Sequence, residues 1–249
     1  METQLAPLED LFTLNVVAPH LKRFRPPPGP HDPRGDWALD YVVYTLGSIR
    51  GHGGRLGTLS LRRKATAGDG AILAIDYQKR VTPDGFQKVV AGITCRGDRL
   101  ATPTRWRYSA EIARPGQVTL ETTRLEKSGE AKDRQVEIID HGGVRPMAVP
   151  PSWTINWALF EAVGRLPREP FDPIRFALLD HFDQLKANQV LSFRQSVEVA
   201  IGGKPLRLHA YDHLGEGIVP WIYWVDEQGR LLFAVSGLEA YLLDAFGPS

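Results

Sequence analysis

The chain has 249 residues, 43% hydrophobic and 24% charged, a balance that gives a globular protein a real core and excludes an intrinsically disordered one. Lys and Arg number 30 against 29 Asp and Glu, so there is no basic field of the kind that holds nucleic acid through its phosphates. The single cysteine, Cys95, excludes an intrachain disulfide and a Cys-based zinc site, and no apolar run approaches the roughly 20 residues of a membrane-spanning helix.

The amino terminus, METQLAPLEDLFTLNVV, carries acidic residues where a signal peptide has basic ones. The compartment stays open: periplasmic or secreted if a leader has been removed, cytoplasmic otherwise. LEDLFTLNVVAPHLKRF reads as a short amphipathic helix ended by Pro19, and RPPPGPHDPRGD as a stiff extended linker. Residues 1 to 35 are therefore expected to form an arm, and 36 to 249 a single domain, because one core rarely grows much past about 250 residues.

From Trp37 the apolar period becomes two. DWALDYVVYTL, GTLSLRRK, AILAIDYQ, FQKVVAGITC and TRWRYSAEI alternate apolar with polar positions and are separated by turn sequences such as TAGDG and TPDG. GQVTLETTRLE and RQVEIID continue the series of antiparallel strands. Between the first two lies GSIRGHGGRLG, rich in glycine but without the Lys-Ser/Thr of a phosphate loop and flanked by strands, so it reads as a hairpin loop with His52 and Arg55 at its rim. Cys95 sits on a strand beside Ile93 and Ala91, where an inert buried thiol is expected.

VPPSWTINWALFEAVGRLP then changes character. Ser152 can cap a helix, Trp153, Trp157, Phe160 and Val163 recur near helical spacing, and Gly164 and Pro167 end the run, which predicts a helix of about three turns. PFDPIRFALLDHFDQLKANQ is ambiguous between a short helix and a loop with a strand. VLSFRQSVEVAI, KPLRLHAYDH, IVPWIYWVD and RLLFAVSG return to strands, and LEAYLLDAF closes the chain as a strand or short helix. A turn at Gly202 and Gly203 would set Ile201 opposite Lys204, Glu198 opposite Arg207 and Ser196 opposite His209, with Val197, Val199, Leu206 and Leu208 on an inner face and Arg194, Ser196, Glu198, Arg207, His209 and Tyr211 on a polar outer one.

His209, Asp212, His213 and Glu216 crowd into eight positions and raise the question of a metal or acid/base site. On a strand, residues four apart lie about 13 Å from each other, whereas two imidazoles on one zinc each place a nitrogen within about 2.1 Å of it. Only a sharp bend at Gly215 and Gly217 would gather them, so no metal and no cofactor is expected. There is no G-x-S-x-G elbow, no H-E-x-x-H and no Cys-His arrangement.

The aromatic residues are more informative. In WIYWV, Trp221 and Tyr223 point to one side and Ile222 and Trp224 to the other, so both faces of that strand carry large apolar area. Together with the proline-led helix, Tyr223, Trp224, Asp226 and Gly229 give residues 37 to 245 a pattern that resembles the LolA-like half-barrel proteins of the bacterial envelope, with their Tyr-Trp strand, D-x-x-G turn and closing strand. The resemblance implies a fold like that of lipid and lipoprotein carriers and a hydrophobic cavity, and it supplies no catalytic residues.

The sequence thus predicts an α+β, mainly β fold: a curved antiparallel sheet or half-barrel of about ten strands with one helix packed on the concave face. Its expected partner is a hydrophobic small molecule or lipid-like ligand held between sheet and helix by Trp106, Trp157, Trp221, Tyr223 and Trp224, with Arg207, His209 or Arg105 reading a headgroup at the rim. Two rival readings stay open. One is a hydrolase or lyase acting on a sugar or ester, with His209, Asp212, His213 and Glu216 converging near the HLGEG turn. The other is an interaction module using sheet edges and the proline-rich arm.

Overall fold

A computed structural model describes residues 16–46, 54–81, 85–115, 120–201 and 204–245. The first part of the expected N-terminal helix, most of the glycine-rich stretch with His52, and the Gly202–Gly203 turn lie outside the described residues.

The first half of the chain is a meander of eight strands: β1 (Trp37–Thr45), β2 (Gly54–Ala65), β3 (Ala71–Arg80), β4 (Phe86–Cys95), β5 (Pro103–Pro115), β6 (Leu120–Lys132), β7 (Gln135–Asp140) and β8 (Gly143–Ala148). The second half opens with β9 (Trp153–Ile155) and the helix α2 (Asn156–Ala162), preceded in the chain by α1 (Ala18–Arg23). It continues as β10 (Ile174–Asp180), β11 (Gln184–Ile201), β12 (Lys204–Leu214), β13 (Trp221–Asp226), β14 (Leu231–Ser236) and β15 (Glu239–Leu243). All fifteen strands join one sheet, in the order β8-β7-β6-β5-β4-β3-β2-β1-β15-β14-β13-β12-β11-β10-β9. Every neighbouring pair is antiparallel except β9 and β10, which run parallel, Ala177 beside Trp153. The sheet is mixed and does not close, since β8 and β9 form its two ends.

This corrects the expectation of about ten strands and one helix packed on the concave face. The additional strands lack the period-two signature: β8 is almost wholly exposed and carries Pro146, and β10 is continuously buried after its first two residues. The predicted three-turn helix begins as β9, because Trp153, Thr154 and Ile155 take β10 as a ladder partner. Only seven residues remain for α2, and Ile155 caps it without a side-chain hydrogen bond. Pro19 does not end α1 but sits in its first turn, where its missing N–H costs nothing.

The two helices lie on opposite faces of the same strands. Phe160 of α2 meets Tyr41, Tyr223 and Tyr241 at ring-centroid separations of 6.0, 5.9 and 5.5 Å. On the other face Phe24, at the end of α1, packs on Phe233 at 4.9 Å, and His20 meets Tyr44 at 5.8 Å. That double cover is why β14 is buried along its whole length. A second helix, not a thicker sheet, satisfies the two-sided apolar content of the closing strands.

The sheet rolls over on itself. Thr102 Oγ1 donates to Trp153 O (3.1 Å), Thr154 Oγ1 donates to Leu100 O (2.7 Å), and Trp106 of β5 packs edge-on against Trp153. The end strand β9 is thereby tucked against the start of β5, and Lys127 of β6 pairs with Asp183 beyond β10. Gly129 makes room for this, since a Cβ there would collide with the Trp106 indole.

One end of the roll is sealed. Arg63 Nε and Arg165 Nη2 bind the two oxygens of Glu161 at 2.9 and 2.7 Å, with all three side chains at most 3% exposed. Arg63 also donates to the Arg34 and Gly35 carbonyls, and Arg165 to that of Gly97. Arg230 pairs with Asp226 and holds the proline-rich segment through Pro27 O and Gly29 O. The D-x-x-G turn belongs to this seal. Asp226 Oδ1 accepts the N–H groups of Gln228 and Arg230, and Gly229, at φ +85°, lies so close to Gly164 that a Cβ would strike its carbonyl oxygen.

Candidate functional site

Inside the roll, toward the end opposite the seal, lies a cavity of about 400 Å³. Its apolar wall is largely aromatic. Tyr77 from β3, Tyr108 from β5, Trp157 and Phe160 from α2, Trp221 and Tyr223 from β13 and Tyr241 from β15 all face it. Alternation puts them there: the register pairs Tyr223 with Ala234 and Ala234 with Tyr241, so these residues share the inward face while Trp224, Phe233 and Leu242 take the outward one. The rings lock one another, Trp157 to Tyr77 at 5.5 Å and Trp221 to Tyr241 at 5.7 Å. Where the cavity reaches the surface, Val219 is 37% and Leu238 58% exposed.

Two polar clusters interrupt this wall. In the first, Glu239 accepts from Lys79 Nζ (3.2 Å) and from Tyr241 OH (3.0 Å). Burial, with the neighbouring Tyr77 and Glu239, pushes the Tyr241 phenol well above its usual range, so it remains a donor at neutral pH. In the second, Asp180 at the end of β10 accepts from Asn156 Nδ2 (2.6 Å) and from Lys186 Nζ. Burial works to raise the Asp180 carboxyl, but the Lys186 hydrogen bond, nearby His181 and the Asn156 bond outweigh it and hold it low.

His213 borders the second cluster. The Gln189 amide nitrogen donates to Ala187 O (2.7 Å) and Glu216 O (3.0 Å), which turns its carbonyl oxygen to His213 Nε2 at 3.1 Å. That network assigns the proton to Nε2 and leaves a lone pair on Nδ1. Burial holds the imidazole neutral, its pKa lowered to about 4 against the opposing pull of Asp180. Nδ1 has no hydrogen-bond partner, and neither has Asn156 Oδ1, and both are buried.

The structure separates the residues that the sequence puts forward. Trp157, Trp221 and Tyr223 line the cavity. Trp106 is packed between Trp153 and Phe182, and Trp224 faces away on the outward side of β13. The expected register of the β11–β12 hairpin holds, with Glu198 opposite Arg207 and Ser196 opposite His209. The expected polar outer face does not hold throughout: His209 and Tyr211 are buried at 4% and 0% exposure. Tyr211 OH donates to Pro167 O (2.9 Å) in the segment after α2, which covers this part of the strand. His209 Nδ1 lies 2.8 Å from Ser196 Oγ. Arg207 is exposed, and Arg105 pairs with Glu130 in solvent.

His209, Asp212, His213 and Glu216 do not converge: Asp212 pairs with Arg194, Glu216 accepts from Asn188, and the two histidines bind Ser196 and Gln189. Among the described residues no group of three or more His, Cys, Asp and Glu side chains is placed to hold a metal ion. Burial raises the Cys95 thiol far above its usual range, so it is no nucleophile. Tyr77, Tyr241, Asn156 and Asp180 were missed by sequence reasoning. Tyr77 and Tyr241 could have been found as the aromatic members of inward alternating positions, in AIDYQ and LEAYLL.

These features define a barrel-like, mainly antiparallel β protein with an internal aromatic cavity. No protein-family model matches the chain, and no curated protein matches it in sequence. Among solved structures it is similar to a beta-barrel-like protein of domain of unknown function DUF1849 from Brucella abortus, with a TM-score of 0.56 and 9% identity over 87% of this chain and 98% of that one. The likeness extends to the fold alone. No helix among the described residues is long and apolar enough to cross a membrane.

Proposed function

We propose that the protein binds a hydrophobic or lipid-like small molecule inside the rolled sheet. One observation carries this reading: the aromatic cavity of about 400 Å³, bordered by exposed Val219 and Leu238, inside a roll whose opposite end is closed by buried ion pairs. Its volume lies in the ~300–1,000 Å³ range of small-molecule sites, which are concave, mostly apolar and equipped with a few polar groups. Burial of ligand surface against the eight Phe, Tyr and Trp rings of the lining supplies the affinity at about 25 cal/mol per Å², and the resemblance in sequence to LolA-like carriers points the same way. The separation of His209, Asp212, His213 and Glu216 gives the hydrolase reading no constellation to act with.

The test combines native mass spectrometry of protein purified without detergent with tryptophan fluorescence during titration with long-chain amphiphiles. A bound small molecule, or saturable quenching of Trp157 and Trp221, is expected, and Val89→Trp, which fills the cavity from β4, abolishes both. Absence of any adduct together with flat titrations across all amphiphiles would sink the reading.

A further inference from the structure

The polar content of the cavity restricts what kind of amphiphile fits. Its charged side chains are balanced and already engaged: Lys79 with Glu239, Lys186 with Asp180. An anionic headgroup such as a carboxylate or phosphate would find no cation without taking one from its present partner, and an ammonium would face the same problem with the acids. A net charge brought into a largely apolar space without a counter-charge is strongly disfavoured. The fully buried side-chain atoms of the lining that lack a hydrogen-bond partner are of one kind only. His213 Nδ1 and Asn156 Oδ1 both accept, both lack a donor, and both belong to residues that line the cavity.

Neither acceptor is free to change its role. Turning the His213 tautomer over would put a lone pair against the Gln189 carbonyl oxygen, and turning the Gln189 amide to match would break its two bonds to Ala187 O and Glu216 O. Flipping the Asn156 amide would replace its donation to Asp180 by a clash of two oxygens. The two acceptors are therefore fixed by their other partners, and a buried acceptor without a donor is a cost that a ligand can relieve.

We propose that the ligand is a neutral amphiphile whose polar end is a hydrogen-bond donor, of the fatty alcohol or acylglycerol type, with its hydroxyl placed between His213 and Asn156 and its chain along the aromatic wall. This inference rests on the binding function proposed above and names the headgroup chemistry of that site. Fatty acids and phospholipids are disfavoured ligands. The neutral state of His213 at physiological pH fits an acceptor role and not that of a cationic anion reader.

The experiment compares four probes of equal chain length, decanol, decyl methyl ether, decanoate and decane, by tryptophan fluorescence titration of the full chain at neutral pH. Decanol is expected to bind about tenfold or more tightly than the methyl ether, which keeps the oxygen but lacks the donor, and more tightly than decanoate. In His213→Phe and in Asn156→Leu, each checked for folding by circular dichroism, the alcohol-to-ether ratio falls toward one while binding of decane persists. Equal binding of alcohol and ether by the wild type, or preference for decanoate, overturns the headgroup assignment and leaves the cavity reading standing. A ratio unchanged in both variants overturns the assignment to these two residues. Failure of all four probes to bind overturns both.

Discussion

At the sealed end of the roll, Glu161 engages two guanidinium groups and those groups go on to satisfy backbone carbonyls from 34 to 97, whereas at the open end His213 and Asn156 each keep an acceptor that meets nothing. Both regions are buried and both are polar. The difference lies in saturation. A saturated buried network fixes geometry and has nothing left to offer a ligand, while an unsaturated one carries a cost that only an incoming group can remove. In the proposed reading the saturated Glu161 cluster holds the fold and the unpartnered acceptors of the lining are placed for a ligand, whereas Trp106 Nε1 and Arg168 Nε, also buried without a partner, belong to residues outside the lining.

The largest effect should come from breaking the seal. Glu161→Ala strands Arg63 and Arg165 in the interior, and loss of one partner of a buried pair costs about 3–5 kcal/mol. Urea unfolding should show that loss directly, and a variant within about 1 kcal/mol of wild type would mean the ion cluster is far wetter than its burial implies.

A somewhat smaller effect belongs to acid at the open end. Native His213 titrates at about 4 and an unfolded histidine near 6.5. Between these values the unfolded chain takes up a proton that the native state refuses, so the stabilisation is complete above the unfolded value and is lost as pH falls toward the native one. About 3 kcal/mol is involved. Unfolding midpoints measured in steps from neutral pH downward should fall over that window, and His213→Phe should make the fall shallower. A flat profile in the wild type would show that the imidazole is hydrated.

The smallest stability effect is expected at the mouth. Leu238→Ser removes exposed apolar surface and should change stability by no more than about 0.5 kcal/mol, while slowing capture of a hydrophobic fluorescent probe in stopped-flow mixing. Unaltered capture would leave the rim without a role and move the contrast wholly into the cavity interior.

Much of the sheet was legible because its strands are half-buried. From β1 to β7 the alternation of residues such as Leu59, Leu61, Ile75 and Tyr77 with polar neighbours marks both the strand and its inner face. Legibility fails where cover comes from elsewhere in the chain. Trp153 and Trp157 keep helical spacing, yet the ladder with β10 claims the first and α2 the second. His209 and Tyr211 look like solvated positions because nothing near them in sequence says that Pro167 will lie above them. The aromatic lining of the cavity was legible in Trp157 of α2 and in Trp221 and Tyr223 of β13, while Trp106 and Trp224, equally large, lie outside it. The polar part of the site was not legible, because what distinguishes His213 from His209 is the absence of a partner for one atom, and absence is a property of the assembled molecule.

The one ladder between β1 and β15 has a kinetic meaning. Every other pairing joins a strand to its successor, by hairpins except at the parallel β9–β10 pair, so each half of the chain can zip up locally. Joining the halves is another matter: Tyr41 donates to Leu231 O across 190 positions, and such a closure is entropically slow until it is rewarded by contacts on both faces. The cavity walls are drawn from both halves, Tyr77 from one and Tyr241 from the other. The cavity therefore does not exist in either half alone and comes into being only when the two halves join, after the last strand has emerged.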